Sequence, residues 1–230
     1  MSHPWWTVPN VWQDEEVFIV GGGPSLATFD YNRLRSKHVI GCNDAFRLGA
    51  HIVDISVFGD KGWFTRNQKD LMSFDNLIVT NHQSLKSQAP WVKVCARHNT
   101  AVGKGNHLGW YFNTGILAIN LACSLGASTV YLLGYDMKMR ETTHVSEIPE
   151  LAIPYRVKKL TGAGVQRNSN WYANIGGHNM PRTYQKFLHY YNMFKKDLDK
   201  AYPNVQIINT NPDSALSIWP KVCLEKVLSK

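Results

Sequence analysis

No apolar run in this chain reaches the ~20 residues that a membrane-spanning helix needs. The opening MSHPWWTVPN also lacks the charged-then-apolar layout of a secretory signal. A soluble, cytoplasmic protein is the expectation. Cysteine is scarce: Cys42, Cys95, Cys123 and Cys223 stand apart, with no CxxC pair. That argues against a zinc site or a disulfide framework and for small buried thiols in a reducing compartment. Charged residues make up 18% of the chain against 44% hydrophobic, the balance of a globular rather than a disordered protein. Its 230 residues are most economically a single domain with a full core.

Missing motifs narrow the chemistry. GxxxxGK[ST] is absent, so there is no P-loop. GxSxG is absent too, and no cysteine sits in a nucleophile context. A DxD occurs at Asp197-Leu198-Asp199, but within an amphipathic helical pattern that reads as structural. No metal site is expected from it.

The most informative stretch present is VFIVGGGPSL, Val17 to Leu26. It reads as a buried strand, a tight glycine loop and the start of a helix with Pro24 at its first position. Glycines before a helix N-terminus let backbone amides approach an anion, and the helix dipole favours negative charge there. Gly21, Gly22, Gly23, Pro24 and Ser25 are therefore candidates for a nucleotide- or phosphate-binding turn. The turn departs from the NAD fingerprint, because Leu26 stands where the third Gly or Ala belongs. A plain strand-to-helix connection stays open as the alternative.

Further short β-rich runs occur at Val39 to Cys42, DISVFGD, NLIVTN, STVYLLGYDM and VQIIN, with a weaker one in WVKVCA. Most close on Gly, Asn or Asp, as parallel strands do when their carboxyl ends face a ligand. ILAINLACSLGA reads as an apolar helix close against a sheet. Pro181 to Tyr202 is amphipathic, with Tyr184, Phe187, Leu188, Tyr191, Phe194 and Leu198 on one stripe. A terminal helix is expected from Ser214, and residues 1–16, with three tryptophans, as an irregular arm. Residues 138–178 are polar, basic and aromatic without periodicity, a lid-like insertion. The pattern predicts an α/β, Rossmann-like fold: a mostly parallel sheet with helices on both faces.

Several residues at the strand ends carry chemistry. Asn43 and Asp44 close the second strand, where a side chain often meets a ribose or base. Asp60 and Asp136 each end a strand and could hold Mg²⁺ together, although Asp136 reads more readily as a cap of the loop. Asn113, Thr114 and Gly115 precede the apolar helix, as an anion site or as an ordinary N-cap. His178, after two glycines and before the long helix, is a candidate general base, with His144 its rival. Net charge is +8, and residues 138–200 hold 11 Lys/Arg against 5 Asp/Glu. That excess is a cationic face for an anionic acceptor, a polysaccharide or a nucleic acid, or simply a solvated helix surface.

IVGGGPSL, then FDYNRL and a strand ending in Cys42-Asn43, resembles the opening of the bacterial CMP-sialic-acid-using sialyltransferases (glycosyltransferase family 42). NTGILAINLACSLGASTVYLLGYDM is similar to their central segment, Gly176 to His178 to their catalytic G-H, and NTNPDSAL to a C-terminal motif. The Trp-rich start and VIGCNDAFRLG look closest to related phage and prophage proteins. A more distant likeness is to the archaeal hydroxymethylpterin pyrophosphokinases. The resemblance covers roughly half the chain. It implies a GT-A variant needing no cofactor, with a nucleotide-sugar donor as co-substrate, in the cytoplasm of a bacterial host if phage-encoded. It places the glycine turn and Asn43 at the nucleotide, Asn113 and Thr114 at the phosphate or sugar, and His178 as general base. Gly22 stands where the family has Asn. Lys138 and Arg140 stand where it has phosphate-stabilising tyrosines, a role that Tyr155 or Tyr172 would take from the lid. The pyrophosphokinase likeness implies instead a Mg²⁺-dependent transferase using Asp60 and Asp136. A nucleotide- or nucleic-acid-binding phage protein without catalysis, and an oligomer, stay open.

Overall fold

Strands that are apolar at successive positions need cover on both faces, which is the demand of a parallel sheet. The computed structural model describes residues 4–138 and 180–229. Strands Glu16–Val20 (β1), His38–Cys42 (β2), Ile55–Phe58 (β3), Leu77–Thr80 (β4) and Lys93–Val94 (β5) pair in parallel in chain order. Ala96–His98 (β6) and His107–Gly109 (β7) form a separate parallel pair. The chain then returns to the far side of β1, where Thr129–Leu133 (β8) and Gln206–Asn209 (β9) complete a seven-stranded sheet of order β5-β4-β3-β2-β1-β8-β9.

Helices cover both faces, as expected. Val17 and Ile19 of β1, with Ile40, Val57, Val130 and Leu132, pack under Thr114–Ser124 (α3) and under Tyr191, Phe194 and Leu198 of the long helix Met180–Ala201. The alternate residues Phe18 and Val20, with Val39, Phe58 and Leu133, pack against Trp63, Phe64 and Leu71 of Lys61–Leu71 (α1). Leu85–Gln88 (α2) lies on that second face as well, as does the terminal helix, which packs there through Val227. In chain order Met180–Ala201 is α4 and Leu224–Leu228 is α5. In the amino-terminal arm Trp12 is buried and stacks on His38 at 4.6 Å.

Three expectations are corrected. The helix after the glycine turn is a single 3-10 turn, Pro24–Leu26, closed by the Ala27 amide on the Pro24 carbonyl at 3.0 Å. The terminal helix does not start at Ser214 but spans only Leu224–Leu228. Ser214 is held by its hydroxyl on the Tyr135 carbonyl at 2.6 Å, and Asn209 donates its amide to Pro220 at 2.9 Å. The segment between is therefore an irregular connection that returns to pair beside the end of β9 at Lys221, and Pro220 cannot continue a helix. Cys42, Cys95 and Cys123 are buried thiols as expected, but Cys223 is exposed ahead of α5. Among the described residues no helix is long and apolar enough to cross a membrane.

α3 is the central brace. Ile116 to Cys123 are buried without interruption, and the small Ala118 and Ala122 let the helix lie close to the sheet. Within that buried run the polar Asn120 accepts the amides of Gly103 and Gly109 at 2.8 Å each and donates to the Gly103 carbonyl at 2.9 Å. Those bonds tie the β6–β7 loop to the helix. Asn120→Ala leaves two buried amides without an acceptor, each costing ~1–3 kcal/mol. The expected result is a lower urea midpoint with an unchanged slope. An unaltered midpoint would contradict this tie.

Candidate functional site

In an open parallel sheet the ligand crevice forms where the strand order reverses, outside the carboxyl ends. Here that point lies between β1 and β8. A cleft of about 50 Å³ opens there. Gly21 and Gly22 contribute from β1, Cys42 and Asn43 from β2, and Gly134, Tyr135, Asp136 and Met137 from β8. Asn113, Thr114 and Gly115 enter from the start of α3, and Tyr184, Phe187 and Tyr191 from α4. Nine of the residues singled out in the sequence thus meet there or at its rim: Gly21, Gly22, Asn43, Asn113, Thr114, Gly115 and Asp136 line it, Met137 is followed by an exposed Lys138, and Gly23 lies just behind.

The glycine turn is built differently from a phosphate cradle. The Gly21 amide donates to the Leu133 carbonyl and the Gly23 amide to Gly134, both at 2.8 Å. The Ser25 amide and hydroxyl donate to the Asp136 carboxylate at 2.8 and 2.6 Å. A Cβ on Gly23 would lie 2.4 Å from the Gly134 oxygen and 2.5 Å from Asp136 Oδ2. These glycines therefore serve the close approach of β1's exit to β8's exit. The anion held by the turn is the chain's own Asp136, which also accepts from Asn211 Nδ2 at 2.7 Å. Gly23, Pro24 and Ser25 hold this clasp and do not line the cleft, and a three-residue helix has no useful terminal field.

Asn43 is different. It is 3% exposed, sits at φ 52° and has a side-chain Oδ1 with no hydrogen-bond partner among the described residues. Asn tolerates this left-handed conformation better than most residues. A buried, unpaired acceptor is costly, so its natural complement is a ligand hydroxyl or N–H. Opposite it starts α3, capped by Asn113, whose Oδ1 accepts from Gly115 at 2.8 Å, Ile116 at 3.2 Å and the Tyr191 hydroxyl at 3.0 Å. Asn113 is thus a cap, and its acceptor is spent. Thr114 follows at the first helical position, 3% exposed, and among the described residues neither its amide nor its hydroxyl has a partner. Gly115 is required by packing, because a Cβ there would lie 2.4 Å from the Tyr191 hydroxyl. The Cys42 thiol is pushed up to about 12 by burial, with its Tyr135 contact opposing. It is a neutral wall, not a nucleophile.

Two acidic candidates fall elsewhere. Asp44 accepts from Trp63 Nε1 at 3.3 Å and lies 3.9 Å from Arg47, so it braces α1. Asp60 caps α1 through the Trp63 amide at 2.7 Å. Since β3 and β8 are three strand spacings apart, their ends are separated by ~14 Å, too far for Asp60 and Asp136 to share an ion held at 2.0–2.6 Å. Beside Asp60, Arg97 donates to the Gly59 carbonyl at 2.6 Å and to both oxygens of Asn81 at 3.1 Å. Desolvation lowers its guanidinium to about 10, against the pull of Asp60. Among the described residues no group of three or more His, Cys, Asp or Glu is placed to hold a metal.

Arg140, Tyr155, Tyr172 and His178, and with them the expected lid, lie outside the described residues. Tyr184, Phe187 and Tyr191 were legible only as an apolar stripe. Their register on α4 faces them toward β8's exit, where the same stripe is both core and cleft wall. Comparison with protein-family models, with curated proteins and with solved structures finds no match for this chain.

Asp136→Ala removes the acceptor for three donors at once. The expected loss is ~2–4 kcal/mol in urea unfolding, with Ser25→Ala producing a smaller loss because the Ser25 amide keeps its bond. Equal stability of Asp136→Ala and the parent protein would show that the clasp carries nothing.

Proposed function

We propose that this protein is a glycosyltransferase that takes a nucleotide-activated sugar, with a CMP-sugar-like donor, into the cleft between β1 and β8. The observation that carries the reading is the buried Oδ1 of Asn43, unpaired among the described residues, in one cleft with Thr114 at the N-terminus of α3. One side offers an acceptor for a ribose or sugar hydroxyl. The other offers the Thr114 amide and hydroxyl, with a helix of 11 residues behind them whose dipole favours an anion.

In this mechanism the bond between the anomeric carbon and the phosphate oxygen breaks as an acceptor oxygen attacks the carbon. The electron pair stays on the departing phosphate. Thr114, the α3 terminus and Lys138 at the rim meet that growing charge, which is where fixed dipoles accelerate a reaction. The acceptor's proton passes to a base. His178 takes that role by the family resemblance, with Arg140, Tyr155 and Tyr172 as further phosphate contacts. The basic excess of residues 138–200 supports an anionic acceptor, a polysaccharide or a nucleic acid. No cofactor is needed, and transfer continues in EDTA. The Mg²⁺-dependent pyrophosphokinase reading gains no support from Asp60 and Asp136, which are apart and engaged.

A thermal-shift panel of CMP, CDP, UDP, GDP, GTP and ATP tests the site, since a bound ligand raises the melting temperature with its affinity. At least one nucleotide is expected to stabilise the protein. Asn43→Gly relaxes the positive φ, so the free protein melts no lower while nucleotide binding falls about 10-fold, the size of one lost hydrogen bond to a ligand. Thr114→Val, isosteric, weakens it by a similar factor. No shift with any nucleotide, or full binding by Asn43→Gly, refutes the assignment.

A further inference from the structure

The cleft encloses about 50 Å³, against the ~300–1,000 Å³ of a complete small-molecule site. That volume suits a phosphate-sized group better than a base, and the cleft is open on its outer side. A nucleotide held there must extend outward along the carboxyl edge of the sheet, past Asn43 at the exit of β2 to the exit of β3. Trp110 lies on that exit: a Cβ on Gly59 would sit 2.4 Å from its ring. Its indole Nε1 is buried with no partner among the described residues.

From Trp110 a row of rings runs toward α4. Arg97 stacks 4.0 Å over Trp110, Trp110 and Phe112 are 5.8 Å apart, and Phe112 and Tyr190 5.2 Å. Lys186 stands 6.0 Å over Tyr190 at the far end. Phe112 is the exposed member, with 45% of its surface open. Its backbone is unusual, because Tyr111 and Phe112 are consecutive aromatic residues at positive φ, 44° and 54°. Bulky side chains rarely adopt that region, and such strain collects at functional positions. Tyr111 is turned fully inward, and its hydroxyl donates to Asp197 on α4. The reversal turns Phe112 outward, two residues before Thr114 and so within ~7 Å of the α3 terminus.

We propose that Phe112 is the platform on which the nucleobase of the bound nucleotide stacks. The phosphate then lies at Thr114, the ribose beside Asn43, and the base on the exposed part of the Phe112 ring, between the cations that bracket the aromatic row. This inference rests on the nucleotide reading above and adds the position of the base. Stacking tolerates any base, because every base has a π-face. Base identity is then set by other contacts.

Titration calorimetry with 5′-CMP, 5′-AMP and ribose 5-phosphate tests it. The parent protein binds a mononucleotide about 10-fold or more tighter than ribose 5-phosphate, the scale of one stacked base. Phe112→Ala removes that advantage and leaves ribose 5-phosphate binding unchanged, while Phe112→Trp keeps it. Phe112→Asn, whose side chain accepts the positive φ, behaves as Phe112→Ala and guards against misfolding. Thr114→Val weakens all three ligands alike. An advantage that survives in Phe112→Ala, or ribose 5-phosphate weakened as much as the nucleotides, overturns the platform. If ribose 5-phosphate binds and no nucleotide binds tighter, the platform fails while the anion site stands. If none of the three binds, both fail.

Discussion

The Asp136 carboxylate is the point on which this architecture turns. A parallel sheet that grows first to one side of β1 and then to the other must join two exits at its centre, and both lead into loops. Asp136 closes that fork by accepting the amide and hydroxyl of Ser25 and the side chain of Asn211. It thereby ties β1, β8 and the segment after β9. The absence of side chains at Gly21 and Gly23 is what lets the exits touch. The clasp thereby fixes the wall of the cleft that the exits of β1 and β8 form.

α3 then converts that frame into a site. The helix is anchored in the core by Asn120 and capped by Asn113, which in turn receives the Tyr191 hydroxyl. Hydrogen bonds therefore tie its middle to the β6–β7 unit and its start to α4. Thr114, immediately after the cap, inherits that rigidity. So does Phe112, immediately before it, at the cost of two left-handed residues. One capped terminus thus fixes groups on both of its sides, and side chains held by a rigid element make more exact sites than side chains on free loops.

The sheet was legible because continuous apolar runs closed by Gly, Asn or Asp leave few alternatives. Asn43, Asn113 and Thr114 were legible as positions because they end a strand and begin a helix. What each does was not. The glycine turn has the pattern of an anion cradle, and it does hold an anion, but a partner 111 residues away in the chain supplies it. No local pattern distinguishes a phosphate from a distant aspartate when the donors are the same amides. Phe112 was invisible for a related reason. Its neighbour Tyr111, also at positive φ, is anchored inward on Asp197, and Asp197 read from sequence only as part of a DxD with a structural role. Tyr184 and Tyr191 looked like core, and they are core, with an edge on the cleft.

The electrostatics of the cleft bear on what kind of ligand it suits. Among its described walls there is one charged side chain, and it is negative: Asp136, with both oxygens engaged. Among the described residues the lysine next to the lining in sequence is Lys138, exposed after Met137. In the proposed reading an anion is met by dipoles: the Thr114 amide and hydroxyl and the α3 terminus. Dipoles fixed inside a protein act more strongly than in water, yet they give less total binding than paired cations and depend less on salt. Such a grip tightens as negative charge accumulates and does not hold a fully solvated anion indefinitely. That behaviour suits a leaving group that must depart after each transfer more than a cofactor that must stay.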